Sequence, residues 1–221
     1  MLEGLLITFM ILLVFASLIC LYGNWQAWQK TIVVTKPLLV PFIIGIHVAA
    51  HPLGDALIVM GLLFGWVGDI LLLQKEKKRF FSAGLASFLA GHVVYILAFA
   101  RTIEWTEFPP ILFLAIIPYF IAGIGASKLV KNAPVRLKWP TRIYLMVIFI
   151  MSLFSCFLAL SEPSLNLLAV LLGTIMFIIS DGLLSIAIFN HKPARWHVSV
   201  MATYIIAQTL IGLFFPSPVM I

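Results

Sequence analysis

Two aspartates lie inside stretches apolar enough to sit in lipid, Asp69 in GWVGDILLL and Asp181 in IISDGLLSI. An ionisable group in hydrocarbon costs roughly 2.5 to 3.5 kcal/mol, so such groups are rare, inward-facing and functional. Two shielded carboxyls can divide acid and base roles between them, one protonated and the other ionised. This chemistry suits cleavage of an ether or acetal-like bond, in which one Asp gives a proton, an oxocarbenium-like state develops, and the other Asp activates water.

Further polar side chains fall in the other apolar stretches: Lys36, His92, Tyr95, Tyr204 and Gln208. A helical rise of about 1.5 Å per residue places Asp69 about 6 Å and Asp181 about 12 Å from the inner ends of their helices. Lys36, Tyr204 and Gln208 come at comparable depth, and His92 is nearer the midplane. We therefore expect five helices to send polar groups into one layer, with Lys36 as the cation of the acid pair.

The elements that position these groups follow from composition, because 63% of the 221 residues are hydrophobic and only 10% are charged. A mean hydropathy of +1.15 predicts an integral membrane protein. We expect one domain, 1–221, built as an all-α polytopic bundle, since no barrel-type alternation is present. Eight apolar stretches are predicted to span the membrane: 4–22, 32–50, 56–73, 82–100, 111–127, 143–160, 165–189 and 197–215.

Orientation is predicted from the basic residues, which fall mainly in the loops after stretches one, three, five and seven. They are Lys30; Lys75, Lys77, Lys78 and Arg79; Lys128, Lys131, Arg136, Lys138 and Arg142; and Lys192 and Arg195. The positive-inside rule then places both termini on the non-cytoplasmic side. The same bias explains the net charge of +6 without a nucleic-acid partner. We expect a multi-pass protein of a bacterial inner membrane or of an endomembrane such as the endoplasmic reticulum.

Spacing within the stretches indicates which faces turn inward. Gly61, Gly65 and Asp69 recur every four residues, which makes a narrow stripe where neighbouring helices can approach closely. Pro37 and Pro41 would free backbone carbonyls, which is tolerable only where protein or water covers them. A weak echo between 68–99 and 180–215 aligns the two aspartates and predicts a four-plus-four internal repeat.

The polar marks together resemble the YhhN-like lysoplasmalogenases. These marks are KPLLVP at 36–41, GD-x-LL at 68–72, FxxGLxSFLxGHxxY at 81–95, SDxLL at 180–184 and Tyr204-x3-Gln208. The resemblance implies hydrolysis of the vinyl ether of a lysoplasmalogen to a fatty aldehyde and a glycerophospho-alcohol, without a metal or organic cofactor. It implies Asp69 and Asp181 as the catalytic pair and a lysophospholipid in the membrane as the substrate.

Other interpretations remain open for the same residues. Asp69 and Lys36 could form a structural salt bridge, His92 could be a packing hydrogen bonder, and Tyr204 with Gln208 could join helices. We otherwise expect these side chains, with Tyr95, to bind substrate.

Different functional classes also have to be weighed against the hydrolase. A small-molecule or proton-coupled transporter would use the same polar layer, although the outer half offers little beyond His47. A zinc hydrolase is disfavoured by poor ligand spacing. No G-x-S-x-G or H-E-x-x-H motif is present.

Overall fold

A computed structural model describes residues 2–52, 54–74, 77–190, 192–193 and 195–216, and these residues form helices and turns without a strand. The eight α-helices are α1 Leu2–Trp25, α2 Gln29–Ala50, α3 Ala56–Leu72, α4 Lys78–Thr102, α5 Ile116–Ser127, α6 Val135–Ser161, α7 Leu165–Phe189 and α8 Trp196–Phe214. The all-α prediction is therefore confirmed. Short 3-10 segments, Pro110–Ala115 and Lys128–Val130, flank α5.

Seven of the helical segments are long and apolar enough to cross a membrane, with α5 counted together with the 3-10 turn before it. The remaining segment, α3, is apolar but has 17 residues. It reaches about 25 Å at the helical rise, which is near the lower limit for a span. The chain is thus a multi-pass membrane protein.

The largest error in the predicted boundaries is at α6, which begins at Val135 instead of 143. Arg136, Lys138 and Arg142 therefore lie on its first turns and not in a loop. Long basic side chains can extend their charges to the headgroups while their helix continues past the hydrocarbon. The same correction applies to Lys30 on α2 and to Lys78 and Arg79 on α4.

The predicted orientation stays a prediction, and one of the basic residues behind it, Lys75, lies outside the described residues. The predicted four-plus-four repeat likewise stays a prediction.

Helix packing places the polar layer in the interior of the bundle. The pairs α1–α2, α3–α4 and α7–α8 pack along their lengths, and α6 packs on both α4 and α7. The main apolar core is shared by all of these helices. By contrast, α5 has no buried residue among those described and packs on α6 and its flanking 3-10 segments. The layer is thus positioned by helices other than α5.

Lys36 is held by a proline-containing turn of α2 that packs on α3. Pro41 has no N–H to donate to the carbonyl of Pro37, and the indole of Trp66 donates to that oxygen instead, across 2.8 Å. The expectation that protein covers the freed carbonyl is confirmed here. This bond fixes α2 against α3 at the residue that directly follows Lys36.

The glycine stripe of α3 lets two helices approach it closely. A Cβ added at Gly65 would lie 2.6 Å from Gln208 Nε2 on α8, and one added at Gly61 would collide with the ring of Tyr95 on α4. Larger side chains would push both helices away. The stripe therefore brings α4 and α8 to the face of α3 that carries Asp69.

The end of the bundle at the α2–α3 turn is more polar than the sequence predicted. Asp55 is 1% exposed, forms an ion pair with Arg101 and accepts a hydrogen bond from the N–H of Leu57, which caps α3. His47 and His51 lie beside each other nearby. Asp55 was overlooked because it lies one residue before the predicted stretch, where an acidic residue is typical of a helix N-cap.

Candidate active site

Asp69 is 2% exposed and receives two charge-stabilising contacts. Lys36 Nζ lies 3.0 Å from Oδ1, and the Tyr204 hydroxyl donates to Oδ2 across 2.6 Å. A buried carboxylate needs both a counter-charge and hydrogen-bond donors to remain ionised. The ion pair with Lys36 and the bond from Tyr204 together supply these needs.

A relay of hydrogen bonds orients the Tyr204 hydroxyl. Gln208 Nε2 donates to the Tyr204 oxygen across 3.2 Å, and the Tyr95 hydroxyl donates to Gln208 Oε1 across 2.9 Å. Because the Tyr204 oxygen already accepts from Gln208, its own proton is directed at Asp69. Tyr95 and Gln208 thus act on the carboxylate through Tyr204.

Asp181 has a different set of neighbours, and no ammonium or guanidinium is among those that the structure records. The Tyr144 hydroxyl donates to Asp181 Oδ2 across 3.0 Å. His92 Nε2 lies 3.7 Å from the same oxygen and 3.3 Å from the Tyr144 hydroxyl. Among the described residues, the other ring nitrogen, His92 Nδ1, is buried without a hydrogen-bond partner. The two carboxyls therefore differ in the charge placed beside them.

The contacts of the two carboxyls are crossed between the helix pairs. Asp69 on α3 is bonded by Tyr204 on α8, the helix that follows Asp181. Asp181 on α7 is approached by His92 on α4, the helix that follows Asp69. Each of the two helix pairs, α3–α4 and α7–α8, therefore supplies a side chain that contacts the aspartate of the other pair.

Both carboxyls line one cavity of about 130 Å³. Lys36 and Tyr204 also line it, together with Asn24, Ala27 and Gln29 around the α1–α2 turn and His197 on the first turn of α8. Those turns lie at the end of the bundle that carries the basic residues. A small molecule or water that enters from that end can contact both acids.

The cavity separates the predicted site residues into two groups. Lys36, Asp69, Asp181 and Tyr204 line it. His92, Tyr95 and Gln208 do not line it and lie behind the residues that do. The seven side chains form two contact networks. One joins Asp69 to Lys36, Tyr204, Gln208 and Tyr95, and the other joins Asp181 to His92. Their contacts with substrate stay a prediction.

Sequence reasoning missed Tyr144 and the role of Trp66. Tyr144 falls at the edge of the predicted stretch 143–160, where tyrosine is typical of an interfacial anchor. It is 5% exposed and bonds Asp181 within the bundle. Its depth could not be read from the sequence, because α6 begins at Val135 and not at 143.

The part of the chain that the structure describes contains no set of side chains that could hold a metal ion. No group of three His, Cys, Asp or Glu side chains converges there. The two cysteines, Cys20 and Cys156, are free.

The fold and the cavity define a multi-pass helical membrane protein with an acid pair buried near one end of its bundle. The sequence matches the YhhN family over residues 31–214, and the chain belongs to this family. The matched region contains both aspartates and the four residues that bond or pair with them above, Lys36, Tyr204, Tyr144 and His92. No curated protein and no solved structure matches the chain.

Proposed function

We propose that the protein hydrolyses the vinyl ether bond of lysoplasmalogens, releasing a fatty aldehyde and a glycerophosphoethanolamine or glycerophosphocholine. The observation that carries this proposal is the single cavity lined by Asp69 and Asp181 near one end of the bundle. A single-chain lipid places its ether bond just beneath the headgroups, at the depth of this pair. Membership of the YhhN family is consistent with a membrane enzyme.

The neighbours of each carboxyl suggest its role. Asp69 beside Lys36 and Tyr204 is the base, because the ammonium and the phenol stabilise its charge. Asp181 is the acid, because its recorded contacts come from a phenol and an imidazole at Oδ2. Oδ1 of Asp181 is then the oxygen that holds the transferable proton.

The reaction consumes one water and returns both carboxyls to their starting state. Asp181 protonates the vinyl carbon remote from oxygen, and the C=C electron pair forms the new C–H bond, leaving an oxocarbenium ion. Water attacks the carbon next to oxygen while Asp69 takes its proton, which gives a hemiacetal. Asp181 then removes the hemiacetal hydroxyl proton, Asp69 protonates the leaving glycerol oxygen, and the C–O bond breaks to give the aldehyde.

The test compares a lysoplasmalogen with its saturated alkyl-ether analogue, using purified protein and following aldehyde release. Protonation of carbon requires the C=C bond, so only the first compound should react. Asp69→Asn and Asp181→Asn should each lower kcat by at least about a hundredfold, as expected for loss of a general acid or base. Near-normal rates in both variants would show that these residues are not the catalytic pair.

Asp55→Asn provides a matched control, because Asp55 is also a buried aspartate but lies outside the cavity lining. Asparagine can keep the helix cap and loses the charge opposite Arg101. We expect lower thermal stability with turnover per folded molecule retained.

A carrier remains the alternative function, and the polar end at the α2–α3 turn favours it more than the sequence alone did. Asp55, Arg101 and His47 do not line the cavity that holds the acid pair. Substrate flux into proteoliposomes without aldehyde release would favour the carrier over the hydrolase.

A further inference from the structure

The cavity between the two aspartates is too small to hold a long-chain lipid. It encloses about 130 Å³, whereas pockets that bury a drug-sized ligand measure roughly 300 to 1,000 Å³. If the proposed substrate reacts there, its ether bond fits but most of its hydrocarbon chain must lie elsewhere.

A larger groove opens between the first turns of α4 and α6, with a volume of about 840 Å³. Leu85, Ala86 and Leu89 of α4 line it opposite Ile143 of α6. Lys78 and Arg136, each on the first turn of its helix, line the same groove. The groove therefore combines a basic rim with an apolar wall suited to a hydrocarbon chain.

A small cavity of about 30 Å³, called the passage below, shares lining residues with both the groove and the cavity of the acid pair. Asp181 and Tyr144 line this passage. Phe81 and Ile188 line the groove, the passage and the cavity alike. The groove thus leads to the carboxyl to which we assign proton donation.

We propose that the alkenyl chain of the substrate lies in the α4–α6 groove and passes between Phe81 and Ile188, with its vinyl ether in the cavity. This proposal rests on the proposed function. It makes the groove the site that selects hydrocarbon length, while the cavity performs the chemistry. The substrate enters sideways from the leaflet on the basic side.

A second apolar groove provides an internal comparison. It lies between α5 and α6, measures about 470 Å³, and is lined by Phe120, Met146 and Phe149 among others. None of its lining residues is shared with the cavity, the passage or the α4–α6 groove. A lipid chain held there would therefore lie against none of the residues that line the cavity of the acid pair.

The first experiment measures kcat/KM for a long-chain and a short-chain vinyl ether of the same headgroup. Ala86→Trp fills the α4–α6 groove from α4, and Ile143→Trp fills it from α6; both positions are exposed. Each variant should lower the long-chain to short-chain ratio by at least about tenfold, because methylene contacts are lost. Met146→Trp in the other groove should leave the ratio unchanged. Unchanged ratios in both folded groove variants would overturn the proposal.

The second experiment has a readout independent of turnover. A saturated alkyl-ether lysolipid with a diazirine at the chain end is photolysed with the protein in nanodiscs, with and without excess lysoplasmalogen. Labelling that excess lysoplasmalogen suppresses should fall on residues 78–89 and 134–144. The same labelling should be lost in the Ala86→Trp variant. Labelling of the α5–α6 groove alone would overturn the proposal. A wild-type protein that labels as expected but cleaves neither vinyl ether would instead refute the proposed hydrolysis.

Discussion

The Tyr144 hydroxyl donates to Asp181 Oδ2 across 3.0 Å and thereby joins α6 to α7 beside the cavity. Loss of such a bond removes roughly 1 kcal/mol or more. We expect Tyr144→Phe to lower kcat about tenfold with little change in KM, since the ring keeps its packing. Steady-state aldehyde release measures both constants.

Tyr119→Phe is the matched control for that substitution. The Tyr119 hydroxyl likewise bonds a side chain of a neighbouring helix, Ser152 of α6, but lies outside the cavity. Its removal should leave kcat unchanged. Equal losses in the two phenylalanine variants would mean that Tyr144 acts only through stability.

Lys36 allows the structural and catalytic interpretations of its ion pair to be separated. Lys36→Met leaves Asp69 as an unpaired buried charge, which costs about 3 to 5 kcal/mol at a pair whose side chains are 14% and 2% exposed. The double variant Lys36→Met/Asp69→Asn should recover most of this stability. Unfolding in detergent, followed by tryptophan fluorescence, measures both.

Turnover distinguishes the two cases. If the pair is catalytic, the stable double variant stays inactive. If it recovers activity together with stability, the ion pair is structural and the base must be sought elsewhere.

The bond from Trp66 to the Pro37 carbonyl predicts a conditional effect on stability. Trp66→Phe should lower the free energy of unfolding by about 1 to 3 kcal/mol, because a carbonyl is left without a donor. In a Pro41→Ala background the backbone N–H of residue 41 can bond that carbonyl, so the same change should cost clearly less. A double-mutant cycle measures the difference.

Trp105→Phe serves as the control for this cycle. The Trp105 indole bonds the carbonyl of Ala100 at an exposed position, where water can replace it. An equal effect of Trp66→Phe in both backgrounds would contradict the covering role of the indole.

Gly65 is predicted to be intolerant of even one methyl group. Gly65→Ala would place Cβ 2.6 Å from Gln208 Nε2, displacing the relay behind Tyr204, and overpacking of this kind costs about 1 to 3 kcal/mol. We expect lower stability and lower kcat together. Thermal unfolding and turnover assays measure the two effects.

Gly123→Ala is the comparison for this substitution, since no atom lies within 4 Å of a Cβ added there. It should raise stability by up to about 1 kcal/mol through helix propensity. A neutral result for Gly65→Ala would show that α8 can move away without harm to the site.

Hydropathy predicted much of the fold because apolar length is a local property. The stretch 165–189 agrees with α7, since Ser164 caps its start and Asn190 ends it. The start of α6 could not be located in this way, because a helix that continues into the headgroup layer loses its apolar signal there. The 3-10 turn before α5 is likewise a backbone feature that composition does not encode.

The acidic layer and the pairing of Lys36 with Asp69 were predicted from depth, but the phenols that bond the two carboxyls were not. Helical rise and topology brought Asp69, Asp181, Lys36 and Tyr204 to similar heights. Which phenol bonds which carboxyl depends on packing between helices 135 residues apart in sequence, as for Tyr204 and Asp69. Periodicity gives the face of a helix and not its neighbour.

The crossed contacts have a consequence for biosynthesis. Helices enter the membrane in chain order, so Lys36 and Asp69 are inserted long before the phenol of Tyr204 arrives on the last one. Until α8 is inserted, the carboxylate of Asp69 lacks the hydrogen bond from the Tyr204 hydroxyl. A nascent or truncated polypeptide that lacks α8 would thus hold Asp69 beside Lys36 but without the hydrogen bond from Tyr204.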